Sequence, residues 1–119
     1  TTKNLNYLKL AEHFINVRGV DSDFYKREME NRDWNVWGGE SVDPQYHQAH
    51  RPVREQTEAV GHAVRAGYLY TAMADLAFET KDQCLFNSCK TLWKNITQKR
   101  MYITGGIGTT NQGEAFTVD

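Results

Sequence analysis

The sequence has no initiator methionine, no long apolar run, only two cysteines and only two prolines in 119 residues. Each shortage closes off a class of function. A membrane-spanning helix needs about 20 consecutive, mostly apolar residues; no stretch here approaches that, so no membrane partner is expected. Two cysteines cannot build a disulfide framework. Cys84 and Cys89 stand five residues apart, which on a helix turns them about 140° away from each other. They read as ordinary thiols of a reducing compartment, the cytoplasm, rather than as a pair or a shared metal site. An excess of one charge is missing too. Fourteen Lys and Arg meet 15 Asp and Glu, a formal net charge of -1, and no basic run offers a nucleic-acid surface. At this length the chain is one domain or part of one. With no start methionine, signal peptide or targeting tail, it is expected to be an excised piece of a longer protein.

What is present is helical. Tyr7, Leu10, Ala11, Phe14 and Val17 recur at helical spacing, which predicts an amphipathic helix from about Asn4 to Val17, stopped by Arg18 and Gly19. Val20 to Arg51 is polar and aromatic without a sustained period, a long connection with a short helical turn near Asp23 to Asn31. Its Trp34 and Trp37 either stack on a sugar ring or pin the loop to the core. A second helix is predicted from about Val53 to Thr80, started by Pro52. Rich in alanine, it should be buried on several sides. On it Glu55, Glu58, His62 and Arg65 would share one face, a charged stripe that needs partners or a wet cavity. A third helix, from about Asp82 to Lys99, is one-sided, with Leu85, Cys89, Leu92, Trp93 and Ile96 facing inward and Asp82 able to cap it. Asn95-Ile96-Thr97 fits a glycosylation pattern by chance, because it falls inside that helix. Alternating amphipathic and buried helices predict an all-α fold of layered helical hairpins.

Few residues in this frame can carry chemistry. The glycines of "TGGIG" (Gly105, Gly106, Gly108) release the backbone, but no basic residue and no opening helix follow them, so a phosphate loop is excluded. The loop leads instead to Glu114. A carboxyl in a half-dry place beside Phe116 can act as a general acid, and a lone loop glutamate can equally be just solvated. His62 reads as a proton shuttle, a hydrogen-bond donor to a sugar or a satisfied core residue. His47 and His50 have metal-compatible spacing but no third ligand nearby.

The motifs go further. "QAHRPVREQTEAVGHAVRAGYLYTAMADLA" from Gln48, "LW" at Leu92, "MYITGGIG" at Met101 and "GEAF" at Gly113 resemble glycoside hydrolase family 127, the β-L-arabinofuranosidases, from about Tyr46 to Asp119. The resemblance implies an (α/α)6 toroid with alternating inner and outer helices, here only partial. It implies release of terminal β-L-arabinofuranosyl residues, with retention, from an oligosaccharide or glycoconjugate. By motif, Glu114 is the acid/base and His62 contacts the sugar. The family nucleophile is a cysteine thiolate on zinc, in a site of three cysteines and a glutamate, and zinc keeps such a sulfur deprotonated. Those four ligands fall past Asp119, and Cys84 and Cys89 match none of them. No metal ligand is therefore expected in this chain, and alone it should be inactive and bind no stoichiometric zinc. The alternatives are another (α/α)6 sugar enzyme, such as an epimerase or unsaturated-uronyl hydrolase, or a helical interaction module using Glu55, Glu58 and Arg65.

Overall fold

The structure, a computed structural model, describes residues 4–33, 42–111 and 113–117. These residues form helices α1 (Leu5–Val17), α2 (Phe24–Arg32), α3 (Ala63–Thr80) and α4 (Gln83–Asn95). A 3-10 turn at Val53–Glu55 and a π-helical turn at Ile96–Arg100 complete the regular structure, with one isolated bridge between His62 and Ala115. Trp34, Trp37, Gly38 and Gly39, in the long connection, lie outside the described residues.

The ends of α1 follow local chemistry. The Asn4 side chain accepts from the Asn6 N–H, and the Arg18 N–H closes on Phe14 O. Gly19 then turns the chain at φ +76, where any Cβ would sit 2.0 Å from the Arg51 carbonyl oxygen. Its packing departs from expectation. Tyr7, Leu10, Phe14 and Val17 are exposed, and Ile15 is the buried residue, with Leu8 beside the core. The helix is apolar on two sides, and α3 takes the Leu8–Ile15 side.

The long second helix is shorter than the sequence suggests. Pro52 starts a turn, closed by Glu55 N–H to Pro52 O, but Gln56 is already extended. Non-local bonds hold the next residues out of a helix. The buried Gln56 side chain donates to Gln48 O and Arg51 O. The Ala59 N–H goes to Asn95 Oδ1 at 2.9 Å. Gly61 turns at φ +72 against Gln45 O. Helix α3 begins only at Ala63, so the stripe of Glu55, Glu58, His62 and Arg65 does not exist. Glu58 reaches Arg100 at 3.8 Å instead. Burial of α3 is one-sided, through Ala63, Ala66, Met73, Leu76 and Ala77, while Val64, Tyr68 and Phe78 are exposed.

Helix α4 keeps Leu85 and Leu92 inward as expected, and Ile96 follows in the π turn, but Trp93 is exposed. Asn95 is buried with its amide oxygen committed to Ala59, so the Asn-Ile-Thr pattern offers no accessible acceptor. Helices α3 and α4 pack as a hairpin. One core cluster gathers Ile15, Val53, Met73, Leu76, Ala77, Leu85 and Leu92. A second gathers Ala59, Ala63, Ala66, Ile96 and Phe116. Tyr70 touches both, and burial pushes its phenol pKa up.

Asp82 ties α4 to the turn before α3. Its Oδ1 accepts the Leu85 N–H at 2.9 Å, and its Oδ2 pairs with Arg54 at 2.7 Å. The N–H bond first, then the arginine, holds its carboxyl below the usual range. Asp82→Ala should cost roughly 1–2 kcal/mol of unfolding free energy. Asp82→Asn should cost less, because an amide oxygen still caps. Urea unfolding checks both, and equal losses would assign the whole effect to the arginine pair.

Candidate active site

The N-terminus of α3 leaves its first backbone N–H groups without partners inside the helix. His62 is the N-cap, and its imidazole Nδ1 accepts the Arg65 N–H at 3.2 Å. An Nδ1 that accepts leaves the ring proton of a neutral imidazole on Nε2. That Nε2 lies 3.3 Å from Glu114 Oε2. The two residues singled out from the sequence are therefore in contact, with the donor nitrogen turned to the carboxylate. The His62 side chain is 14% exposed and that of Glu114 is 70% exposed, so an incoming ligand meets the carboxyl first and the imidazole lies beneath it.

The loop that carries Glu114 is sewn to the same helix end. The Ala63 N–H donates to Glu114 O at 2.9 Å, and the Phe116 N–H to Gly61 O at 2.9 Å. Glu114 itself sits in the left-handed region at φ +45. That conformation costs a non-glycine residue of order 1–3 kcal/mol and persists only where the surroundings impose it. Gly108 lets the loop cross this point, because a Cβ there would stand 2.9 Å from the Ala63 Cβ. Phe116 is buried against Ala59, Ala63 and Ala66. It anchors the loop rather than drying the carboxyl, which is contrary to the expected half-dry environment.

A second group of residues supports the pair; sequence reasoning read two of them, His47 and Arg65, in other roles and passed over the rest. Tyr46 O accepts the His62 N–H at 3.2 Å, and the Tyr46 ring meets the His62 ring edge-on at 5.6 Å. Gln48, 2% exposed, donates its amide to the carbonyls of Tyr46, Val60 and His62. Arg65 Nη1 lies 2.8 Å from His47 Nδ1; a guanidinium only donates, so the imidazole accepts. The His47 ring also stacks on Tyr25 at 4.2 Å. Tyr46 opens the stretch that matches the motifs, but it lies in a segment with no period to mark it. His47 turns its Nδ1 to a guanidinium, and no group of three His, Cys, Asp or Glu that could hold a metal occurs among the described residues. Cys84 and Cys89 are free thiols, one exposed and one half-buried. No described helix is long and apolar enough to cross a membrane.

The whole chain, residues 1–119, matches the family model described as "Beta-L-arabinofuranosidase, GH127 catalytic domain". A non-reducing end β-L-arabinofuranosidase of Bifidobacterium longum subsp. longum is 42% identical over 125 residues, covering 99% of this chain and 18% of that protein. The crystal structure of a GH127 β-L-arabinofuranosidase from Geobacillus stearothermophilus superposes with a TM-score of 0.88 at 51% identity, over 99% of this chain and 19% of the other. A second GH127 β-arabinofuranosidase structure gives 0.77 at 40% identity, over 99% and 16%. The chain thus spans about a fifth of the length of these relatives.

The support under the pair should be acid-sensitive. Desolvation first, then the charges of Arg65 and Arg18, lower the His47 pKa to about 4. Desolvation pushes His50 the same way. Between about 6.5, the unfolded value, and about 4, the unfolded chain binds more protons than the folded one, so stability rises with pH. The contribution is complete above about 6.5 and is lost as pH falls toward 4. The depressed carboxylates of Asp21 and Asp82 act below that window. The urea midpoint should fall as pH drops from 7 to 4.5, and His47→Asn should flatten the slope. An unchanged slope in that variant would remove His47 as its source.

Proposed function

Given that the chain belongs to the GH127 β-L-arabinofuranosidase catalytic-domain family, we propose that its protein releases terminal β-L-arabinofuranosyl residues, with retention, from an oligosaccharide or glycoconjugate. Glu114 is the acid/base and His62 binds the substrate. The observation that carries this reading is the 3.3 Å pairing of His62 Nε2 with Glu114 Oε2. With Nε2 3.3 Å from Oε2, the transferable proton of a protonated carboxyl belongs on Oε1, ready for the departing glycosidic oxygen. After departure the same carboxylate takes a proton from the attacking water, as in other retaining enzymes. His62, fixed by its cap bond, shares Nε2–H between Glu114 and a sugar hydroxyl.

The thiolate nucleophile and its zinc would be supplied by residues outside this chain; no group of three His, Cys, Asp or Glu among the described residues fits that metal. On this reading the chain alone is inactive, and α3 and α4 form one hairpin of an (α/α)6 toroid. The cytoplasm is part of the same proposal, from the sparse use of cysteine in the sequence. The interaction-module alternative loses its basis, because Glu55, Glu58 and Arg65 form no stripe.

In the full-length protein, Glu114→Gln should cost roughly 10²–10⁴-fold on alkyl arabinofuranosides. Formation of the glycosyl-enzyme from the p-nitrophenyl derivative should suffer far less, because that leaving group departs without a proton. Turnover should then stall at the second step, and azide, which needs no base, should partly rescue it. Equal first-step losses on both substrates with no azide rescue would reduce Glu114 to a positioning role.

His62→Ser separates cap from contact, because a serine oxygen can still accept the Arg65 N–H. It should keep most of the stability and lose roughly 1.5–3 kcal/mol of transition-state binding. A variant of unchanged turnover per folded molecule would make His62 a cap alone.

A further inference from the structure

The 3.3 Å approach of His62 to Glu114 has to be enforced from both sides. His62 is held on its Nδ1 edge by the Arg65 N–H, but the ring face remains to be fixed. Glu114 follows Gly113, which turns at φ +79, and glycine has the widest backbone freedom of any residue. One side chain borders both. The Tyr46 ring stands edge-on to the His62 imidazole, with centroids 5.6 Å apart and planes at 83°. Its Cε2 lies 3.2 Å from the point a Gly113 Cβ would occupy.

Tyr46 is itself tightly placed. Its N–H donates to Asp43 O at 3.1 Å, and its carbonyl accepts the His62 N–H and the Gln48 amide, each at 3.2 Å. The Arg65 guanidinium stands 5.3 Å from the ring centroid. A Cβ on Gly61, the residue before His62, would fall 2.6 Å from Tyr46 Cα. The tyrosine backbone is thus locked to the segment that delivers His62, and its ring fills the gap between the imidazole and the Gly113 hinge.

We propose that Tyr46 is a positioning residue for the reaction: its ring is the stop that holds the Gly113–Glu114 hinge against His62. The inference rests on the roles proposed above for His62 and Glu114. With the ring removed, the hinge and the imidazole each gain a void to move into. Misplacement of a reacting group by about 1 Å can cost on the order of 10²-fold in rate.

The test uses the full-length protein and compares Tyr46→Ala, Tyr46→Leu and Tyr46→Phe on an alkyl arabinofuranoside. Tyr46→Ala should lower kcat roughly 10–100-fold with KM changed far less, and Tyr46→Phe, which keeps the ring against both neighbours, should recover most of kcat. Tyr46→Leu keeps bulk without the flat edge and should behave like alanine, which preserves the test if the alanine variant does not fold. In a Glu114→Gln background the Tyr46 effect should largely vanish, because residues acting through one group are not additive. Additive losses, or losses that follow only the folded fraction, would overturn the inference while leaving the roles of Glu114 and His62 intact. If Glu114→Gln is fully active, those roles fail instead. The stop is then read on the imidazole ¹⁵N resonances of His62, which must shift in Tyr46→Leu and stay in Tyr46→Phe; no shift would overturn it.

Discussion

One hydrogen bond organises this chain: the Arg65 N–H to His62 Nδ1. Helix N-caps are usually short oxygen-bearing side chains. An imidazole in that place satisfies the same orphan donor but carries a second nitrogen on its far side. Capping with Nδ1 therefore fixes the tautomer and holds one edge of the ring that presents Nε2. The neighbouring orphan donor, the Ala63 N–H, is met by the carbonyl of Glu114. The two residues that meet at the site are thus also the two that begin α3, and helix start and site geometry are one event. The positive end of the helix lies beneath a carboxylate, an arrangement the peptide dipoles favour.

That economy explains which parts of the fold were legible in the sequence. The cap by Asp82 could be read directly, because a side-chain oxygen reaches an N–H only three residues on. The start of α3 could not. Apolar spacing and Pro52 argue for a helix from Val53, and Gly61 is only a weak local signal against it. The contradiction comes from Asn95 at Ala59, Gln45 at Gly61 and Glu114 at Ala63, all distant along the chain. The inward side of α1 was misread for a related reason. Apolar residues on two of its sides leave the choice to α3, which takes the Leu8–Ile15 edge. Glu114 and His62 were each ambiguous as single residues and were singled out by motif resemblance. Spacing could not reveal that they touch, because the loop that joins them is closed by backbone bonds rather than by side-chain pattern.

Packing divides the labour along α3. Its C-terminal half carries Met73 and Leu76 into the larger cluster, where volume is filled by long side chains. At its N-terminal end the buried residues are Ala63 and Ala66, and the Phe116 ring settles on them. Small residues there let the Gly108 turn and the Glu114 loop come within contact of the helix backbone. Bulk at that end would lift the loop away, and the capping carbonyl would leave with it. The alanines that suggested general burial have a more local purpose, which is to admit a second backbone.

Gln48 shows how little chemical change the arrangement tolerates. One buried amide nitrogen serves three carbonyl oxygens, those of Tyr46, Val60 and His62, from a residue held in the left-handed region at φ +52. Glutamate matches glutamine in shape, and a single deamidation converts one to the other. Here that smallest of alterations would set a carboxylate oxygen against three carbonyls in a place water does not reach, where like partial charges are least screened. Ageing chemistry that is harmless on a surface would at this position unfasten the segment beneath the site, so the burial of Gln48 also acts as its chemical protection.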